Sequence, residues 1–343
     1  MATGSPLAPA ETGVLACPAC RALLVRRDPV APTGAGLALA CAACGEAFLV
    51  ELGVPLLYWP DGRGADDVAA RVRAFYETSP FPDYDDLDSP ASLADKARRG
   101  LFARRLDEEL AHDARVLEAG CGTGQLTNFL ALTWGREVWG ADLSVASLRL
   151  AERFRAMHGI ERAHFVQMNL FRPPFADSSF DAVISNGVLH HTADPARGLA
   201  TIARLARPGG LVIVGLYNRV ARATTHARRA VFRATGGRLQ FLDPYLRRAD
   251  VGARKKRSWF NDQYLNPHET AHTFGEALRW FDAAGVEFVA GVPALAAGTP
   301  AGGRLFDPQP RGGLLDHVIV QLGMLLRGGR EGGFFVIIGR RRT

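Results

Sequence analysis

Val116-Leu117-Glu118-Ala119-Gly120-Cys121-Gly122-Thr123-Gly124 is the stretch on which the reading of this chain turns. A short apolar strand over 115–118 enters a loop with three alternating glycines, and an amphipathic helix follows over 125–134. Glycines at the carboxyl end of a strand let a ligand lie directly on main-chain amides at the next helix's N-terminus. The dinucleotide fingerprint G-x-G-x-x-G wants a third glycine where Gln125 stands, which disfavours NAD. A second strand over 137–141 runs into Asp142, whose carboxylate suits two ribose hydroxyls. Loop and acid together select an adenosine-containing ligand.

Outward from this stretch, strands and helices alternate. Further strands are expected over 164–168, 180–185, 211–216, 286–292 and 333–339, with helices over 145–158, 195–205, 273–284 and 314–326. This rhythm predicts an α/β fold, a parallel sheet covered by helices on both faces. Residues 114–343 form this unit, interrupted by a basic insertion at 217–272. Between residues 219 and 257 twelve Lys and Arg face only Asp243 and Asp250, so the charges meet acids elsewhere or an anionic partner. The internal acids considered are Asp83, Asp85, Asp86 and Asp88. Residues 61–113 read as helices over 66–76 and 93–112 around a segment rich in proline and aromatics, Ser79 to Asp86, a linker or a lid.

The chain has 343 residues, 48% of them apolar and 22% charged, with a net charge of +6. These proportions exclude a disordered, collagen-like or coiled-coil chain. No apolar run is long enough to span a bilayer. The first 16 residues carry no Lys or Arg and no apolar core, so no secretory signal is expected. Four of the five cysteines form two pairs, Cys17/Cys20 and Cys41/Cys44, each at a tight turn between short apolar runs. Two C-x-x-C pairs at this spacing predict one tetrahedral Zn²⁺ held by four thiolates, with no open position and so a structural role. Residues 1–60 are thus expected to be a small zinc ribbon. Thiolates at such a site imply a reducing compartment, and the cytoplasm is the expected location.

Three further features sharpen the ligand. The third strand leads into Met168-Asn169-Leu170, the fourth into Ser185-Asn186-Gly187-Val188-Leu189-His190-His191, and Arg207-Pro208-Gly209-Gly210 precedes the fifth. Together with the glycine loop these resemble the class I S-adenosylmethionine-dependent methyltransferases, particularly the branch that includes the ubiquinone/menaquinone C-methyltransferases. The resemblance covers roughly residues 114–216. It implies a Rossmann-like sheet of seven strands, the last inserted antiparallel between strands five and six. By position it places the methionine moiety and ribose of S-adenosylmethionine on Glu118, Gly120, Gly122 and Gly124, and the ribose hydroxyls on Asp142. Leu143 and the Leu170 amide fall beside the adenine, and Asn186 near the transferred methyl. Asn169 stands where the family usually has an Asp facing the adenine amino group.

A sulfonium is already an activated methyl donor, so the protein mainly aligns donor and acceptor. Where the acceptor must lose a proton, His190 and His191 past the fourth strand are the general-base candidates. A second polar cluster, Asn261 to Glu269, supplies His268, Tyr264 and Glu269 as candidate substrate contacts. The histidine pair points to a small or lipid-like acceptor. A zinc ribbon ahead of a methyltransferase also resembles some ribosomal-RNA methyltransferases, with the basic insertion holding phosphates. A non-catalytic binding protein is the third reading, opposed by the intact glycines and Asp142.

Overall fold

The computed structural model describes residues 13–27, 38–62, 66–82, 84, 87–300, 302–326 and 333–343. Asp83, Asp85 and Asp86, considered as partners for the basic insertion, lie outside the described residues.

Near the N-terminus β1 (Leu24–Arg27), β2 (Ala38–Cys41), β3 (Ala47–Glu51) and β4 (Val54–Pro55) make an antiparallel sheet in that order. After each C-x-x-C turn one residue takes a left-handed conformation, Arg21 at φ +74° and Gly45 at φ +80°. Glycine suits such a position, and arginine does not. Arg21 is held there by its contacts, donating to the Pro173 carbonyl and to Asp177, both at 2.6 Å.

The main sheet consists of β5 (Arg115–Ala119), β6 (Glu137–Asp142), β7 (Ala163–Gln167), β8 (Phe180–Asn186), β9 (Ala206–Tyr217), β10 (Val286–Val292) and β11 (Phe334–Arg341). Its order is β10-β11-β9-β8-β5-β6-β7. The pairs among β5 to β9 are parallel, while β11 runs antiparallel to both β9 and β10. This is the methyltransferase variant of the Rossmann-like fold, with the last strand inserted as expected. The order reverses between β5 and β8, and at such a switch point the loops diverge and leave a crevice.

The expected helix over 93–112 is two helices, Pro90–Arg99 and Leu101–Glu109. Ser89 starts the first with a capping box and Pro90 at its first position, and Gly100 breaks the run with extended backbone. β9 is longer than expected. It pairs with Phe180 already at Ala206, and its register shifts across Pro208-Gly209-Gly210.

The ribbon and the main sheet share apolar packing. Leu15, Cys17, Leu39 and Leu57 are buried in one cluster with Trp139, Phe175 and Val183. Leu56 continues β4 as a parallel bridge to Gln167 on the edge strand β7. Asp61, buried just beyond, takes both guanidinium nitrogens of Arg197 at 3.1 and 2.7 Å.

Candidate functional site

The glycine loop is fixed by its own main chain. Gly120 (φ +87°) and Gly122 (φ +53°) hold conformations that β-carbons oppose. A β-carbon on Gly120 would lie 2.3 Å from the Val188 side chain, and one on Gly122 would lie 2.5 Å from the Phe81 carbonyl. Asp142 ties the loop to the second strand. One carboxylate oxygen accepts from the Gly122 amide at 2.8 Å and the other from the Ser144 amide at 2.9 Å. Each oxygen keeps a lone pair for a further donor. Glu118 is buried and accepts from the Thr127 hydroxyl at 2.5 Å, and burial raises its carboxyl to about 8. Burial likewise pushes the Cys121 thiol well above its ordinary value, so it is no thiolate nucleophile.

These residues line a cavity of about 570 Å³ at the carboxyl end of the sheet. Glu118, Gly120, Gly122, Asp142, Leu143, Asn169, Leu170 and Asn186 all reach its wall. Gly124 does not: it stands behind the loop, where a β-carbon would lie 2.6 Å from Ala151 and from the Phe165 ring. Its role is packing of helix on strand. Asn186 lines the cavity, while its Oδ1 is buried against Gly215, where a β-carbon would lie 2.1 Å from it, with no hydrogen-bond partner. Asn169 explains its own identity. Its amide nitrogen donates to the Trp59 carbonyl at the ribbon's end, at 2.9 Å, which an Asp could not do. Its oxygen accepts from the Phe171 amide at 3.1 Å.

Residues 66–82 and Tyr84 close one side. Glu77, on the helix Asp66–Thr78, accepts from the Val145 and Ala146 amides at 2.7 and 2.9 Å, satisfying the first turn of the helix behind Asp142. Phe81 and Pro82 line the cavity. The Thr123 hydroxyl donates to the Pro82 carbonyl at 2.6 Å, and Tyr84 donates back to the Thr123 carbonyl at 2.9 Å.

The opposite wall comes from the insertion and the turn after β8. His191 lines the cavity, and its Nδ1 lies 2.7 Å from the His268 carbonyl. A carbonyl only accepts, so Nδ1 carries the hydrogen and Nε2 is the basic nitrogen. Burial lowers the His191 pKa, which keeps the ring neutral near pH 7. His190 is fully buried away from the cavity, with neither ring nitrogen partnered, packed against Tyr217. His268 also stays behind the wall, its Nε2 at 3.0 Å from the Thr192 carbonyl.

The polar cluster in the insertion turns different residues inward from those the sequence suggests. The helix Ala253–Phe260 continues through one π-helical turn, Asn261–Leu265. Asp262 and Gln263 reach the cavity, whereas Tyr264 and Glu269 do not. Asp262 accepts from the Tyr76 hydroxyl and from the Gln263 side-chain amide, each at 2.9 Å, and Gln263 also donates to the Tyr217 hydroxyl at 2.9 Å. Glu269 instead pairs, through a buried side chain, with the insertion's own buried arginines: Arg222 at 3.1 and 2.8 Å and Arg229 at 3.0 Å. Arg228 lies 3.6 Å from Asp243 and Arg219 2.8 Å from Glu276. Much of the basic run is therefore internal. Tyr76, Tyr217, Trp259, Asp262 and Gln263 are lining residues that sequence reasoning missed. Asp262 and Gln263 at least lie within the polar cluster it singled out.

Outside the cavity lining, Cys17, Cys20, Cys41 and Cys44 gather their sulfurs within 4.8 Å of one another. Cys17 and Cys44 are 3.6 Å apart and Cys20 and Cys41 3.4 Å. Four sulfurs at about 2.3 Å from a tetrahedral ion stand roughly 3.8 Å apart, so this donor set suits a metal ion.

Residues 117–214 match the family described as a methyltransferase domain. An uncharacterised protein of Synechococcus sp. is 29% identical over 253 residues, 65% of this chain and 60% of its own length. The methyltransferase GfsG of Streptomyces halstedii is 30% identical over 172 residues, 48% of this chain and 60% of the relative. A ubiquinone biosynthesis O-methyltransferase of Alkalilimnicola ehrlichii is 38% identical over 109 residues, 31% of this chain and 42% of the relative. The chain thus spans less than two thirds of the length of these relatives. Among the described residues no helix is long and apolar enough to cross a membrane.

Proposed function

We propose that this chain, which carries a methyltransferase domain over residues 117–214, transfers the methyl group of S-adenosylmethionine to a small or lipid-like acceptor. The observation that carries the reading is the cavity wall itself. Two glycines there exclude β-carbons, and Asp142 keeps a lone pair free at each oxygen. S-adenosylmethionine suits these groups. Glu118 and the loop amides would hold its methionine moiety, Asp142 its ribose hydroxyls, Leu143, Asn169 and Leu170 its adenine, and Asn186 would lie near the methyl. When bound, the sulfonium supplies an activated methyl group.

The chain's own residues do the rest. Phe81, Pro82, Val188 and Phe334 line the cavity and exclude water. His191 Nε2 takes the acceptor's proton, because Nδ1–H is committed to the His268 carbonyl and the ring is neutral. Asp262 and Gln263, held by Tyr76 and Tyr217, orient the acceptor's polar group. His190 and His268 support this wall without meeting the acceptor. Cys17, Cys20, Cys41 and Cys44 would hold one structural Zn²⁺ in the ribbon, and residues 1–60, 61–113 and 114–343 would serve as ribbon, lid and catalytic unit. The reducing compartment that such thiolates require is the cytoplasm.

The relatives named for methylation of small molecules support an acceptor of this class over RNA. So does the internal pairing of Arg222, Arg228 and Arg229, which withdraws charge from any phosphate backbone. The test is release of S-adenosylhomocysteine from S-adenosylmethionine in the presence of lipid-extract fractions or of total RNA. Turnover with a lipid fraction supports the reading. Turnover with RNA alone replaces the acceptor, and tight cofactor binding with no turnover on any fraction favours a non-catalytic binding protein.

A further inference from the structure

The helix Leu314–Leu326 joins the end of β10 to the start of β11, both at the carboxyl end of the sheet where the cavity opens. Its inner face is well satisfied. His317 Nε2 bonds the Arg311 carbonyl at 3.0 Å, and Gln321 accepts from Asn218 at 2.8 Å. Its outer face is not polar. Leu314, Leu315, Val318, Ile319, Leu322 and Leu326 form one continuous stripe, and each is between 42% and 84% exposed. Monomeric proteins rarely leave such a patch bare.

A second exposed apolar pair, Phe241-Leu242, lies in the insertion. It adjoins the cavity through a stack: Trp259, a lining residue, packs on Tyr245 at 4.5 Å between ring centroids and donates to Asp243 at 3.2 Å. Exposed arginines surround it in the chain, among them Arg233, Arg238, Arg247 and Arg257. Both patches are tied to one strand end. Asn218, which holds the helix, follows the lining residue Tyr217, with which the insertion begins.

We propose that the stripe on Leu314–Leu326 and the Phe241-Leu242 patch dock the protein on an anionic lipid surface, with the cavity opening toward it. Aliphatic side chains enter the acyl boundary while arginines meet anionic headgroups, the pattern of interfacial amphipathic elements. A second copy would bring the same arginines and a like charge to the contact. RNA would gain nothing from six aliphatic side chains, which offer no ring face for base stacking. The inference rests on the methyltransferase reading only in making the bilayer the source of the acceptor.

The test is co-sedimentation of the full chain, without cofactor, with vesicles of phosphatidylcholine alone or with about one third phosphatidylglycerol. Binding is expected to the anionic vesicles only and to weaken as salt rises. Leu315→Ser with Ile319→Ser changes only exposed positions and is expected to reduce binding at least about tenfold with the melting temperature kept. Arg238→Glu with Arg247→Glu is expected to reduce it comparably and to remove the salt dependence. No anionic-vesicle binding overturns the proposal, as does binding that survives both double variants. A dimer that the serine variant splits, or RNA binding in place of vesicle binding, also overturns it. The cofactor titration stands or falls separately, because no step here uses the cofactor.

Discussion

The two walls of the cavity are built on different principles. The wall proposed for the cofactor is main chain: glycines in left-handed turns and a carboxylate gripping two amides, all within residues 118–144. The acceptor-facing wall is a side-chain network. It joins Tyr76 to Asp262 across 186 positions of sequence and Gln263 to Tyr217 across 46. A main-chain site is specified locally and tolerates change elsewhere. A side-chain site depends on every partner, including Arg222, Arg229 and Glu269, which never reach the cavity. The contrast predicts that substitutions behind the acceptor wall act on stability and turnover, whereas those in the cofactor wall act on affinity.

The largest effect should come from outside both walls. Purified without chelators, the protein should carry about one zinc per chain, and Cys17→Ser with Cys20→Ser should carry none. Because Leu15, Leu39 and Leu57 pack with Trp139 and Phe175, the loss should lower the melting of the main sheet as well as the ribbon. A metal-free wild type by elemental analysis would refute the ribbon. Next, Glu269→Gln removes the carboxylate that the buried Arg222 and Arg229 guanidinium groups share, and breaking such a pair costs about 3–5 kcal/mol. Urea unfolding should show that loss, and an unchanged midpoint would mean the arginines find water.

His191→Gln should cut the methyl-transfer rate by about 10²-fold or more while cofactor affinity stays within a few-fold, as expected of a base acting on the acceptor alone. Equal losses in both would place His191 on the wrong wall. The smallest effect concerns pH. Glu118 holds its proton up to about pH 8, far above its ordinary value of 4.5, because it is buried. In the window from about 4.5 to 8 the folded chain keeps a proton the unfolded chain has lost, so this group's contribution to stability falls as pH rises. A bound ammonium favours the carboxylate, so cofactor affinity should rise from pH 6 to 8 and level off above, and Glu118→Gln should flatten the curve. A flat wild-type profile would separate Glu118 from the ligand.

Most of the fold and the cofactor wall could be read from the residues, for a physical reason. Strand, glycine loop, helix and Asp142 are consecutive, and each element's local preference agrees with its place in the sheet. The acceptor wall could not. Its partners are distant in sequence, and the π turn at Asn261–Leu265 shifts which side chains face inward, so Asp262 and Gln263 take the places that spacing gave to Tyr264 and Glu269. The histidine pair shows the same limit. Adjacent in sequence and with their rings in edge contact at 4.3 Å, His190 and His191 differ in reach: only His191 lines the cavity, and its ring is oriented by the His268 carbonyl, 77 positions away. Asn169 looked like a weakened adenine contact, yet its amide is what joins it to Trp59 at the ribbon's end.

The central claim is that the main-chain wall binds S-adenosylmethionine, and titration calorimetry of the wild type beside Asp142→Ala tests it most directly. Hydrogen bonds to a charged acceptor contribute about 1.5–3 kcal/mol each. The wild type should bind one equivalent of S-adenosylmethionine and S-adenosylhomocysteine and no NAD, and the variant should bind at least about tenfold more weakly while remaining folded. Absence of heat with the wild type, or equal affinity in both proteins, would contradict the account.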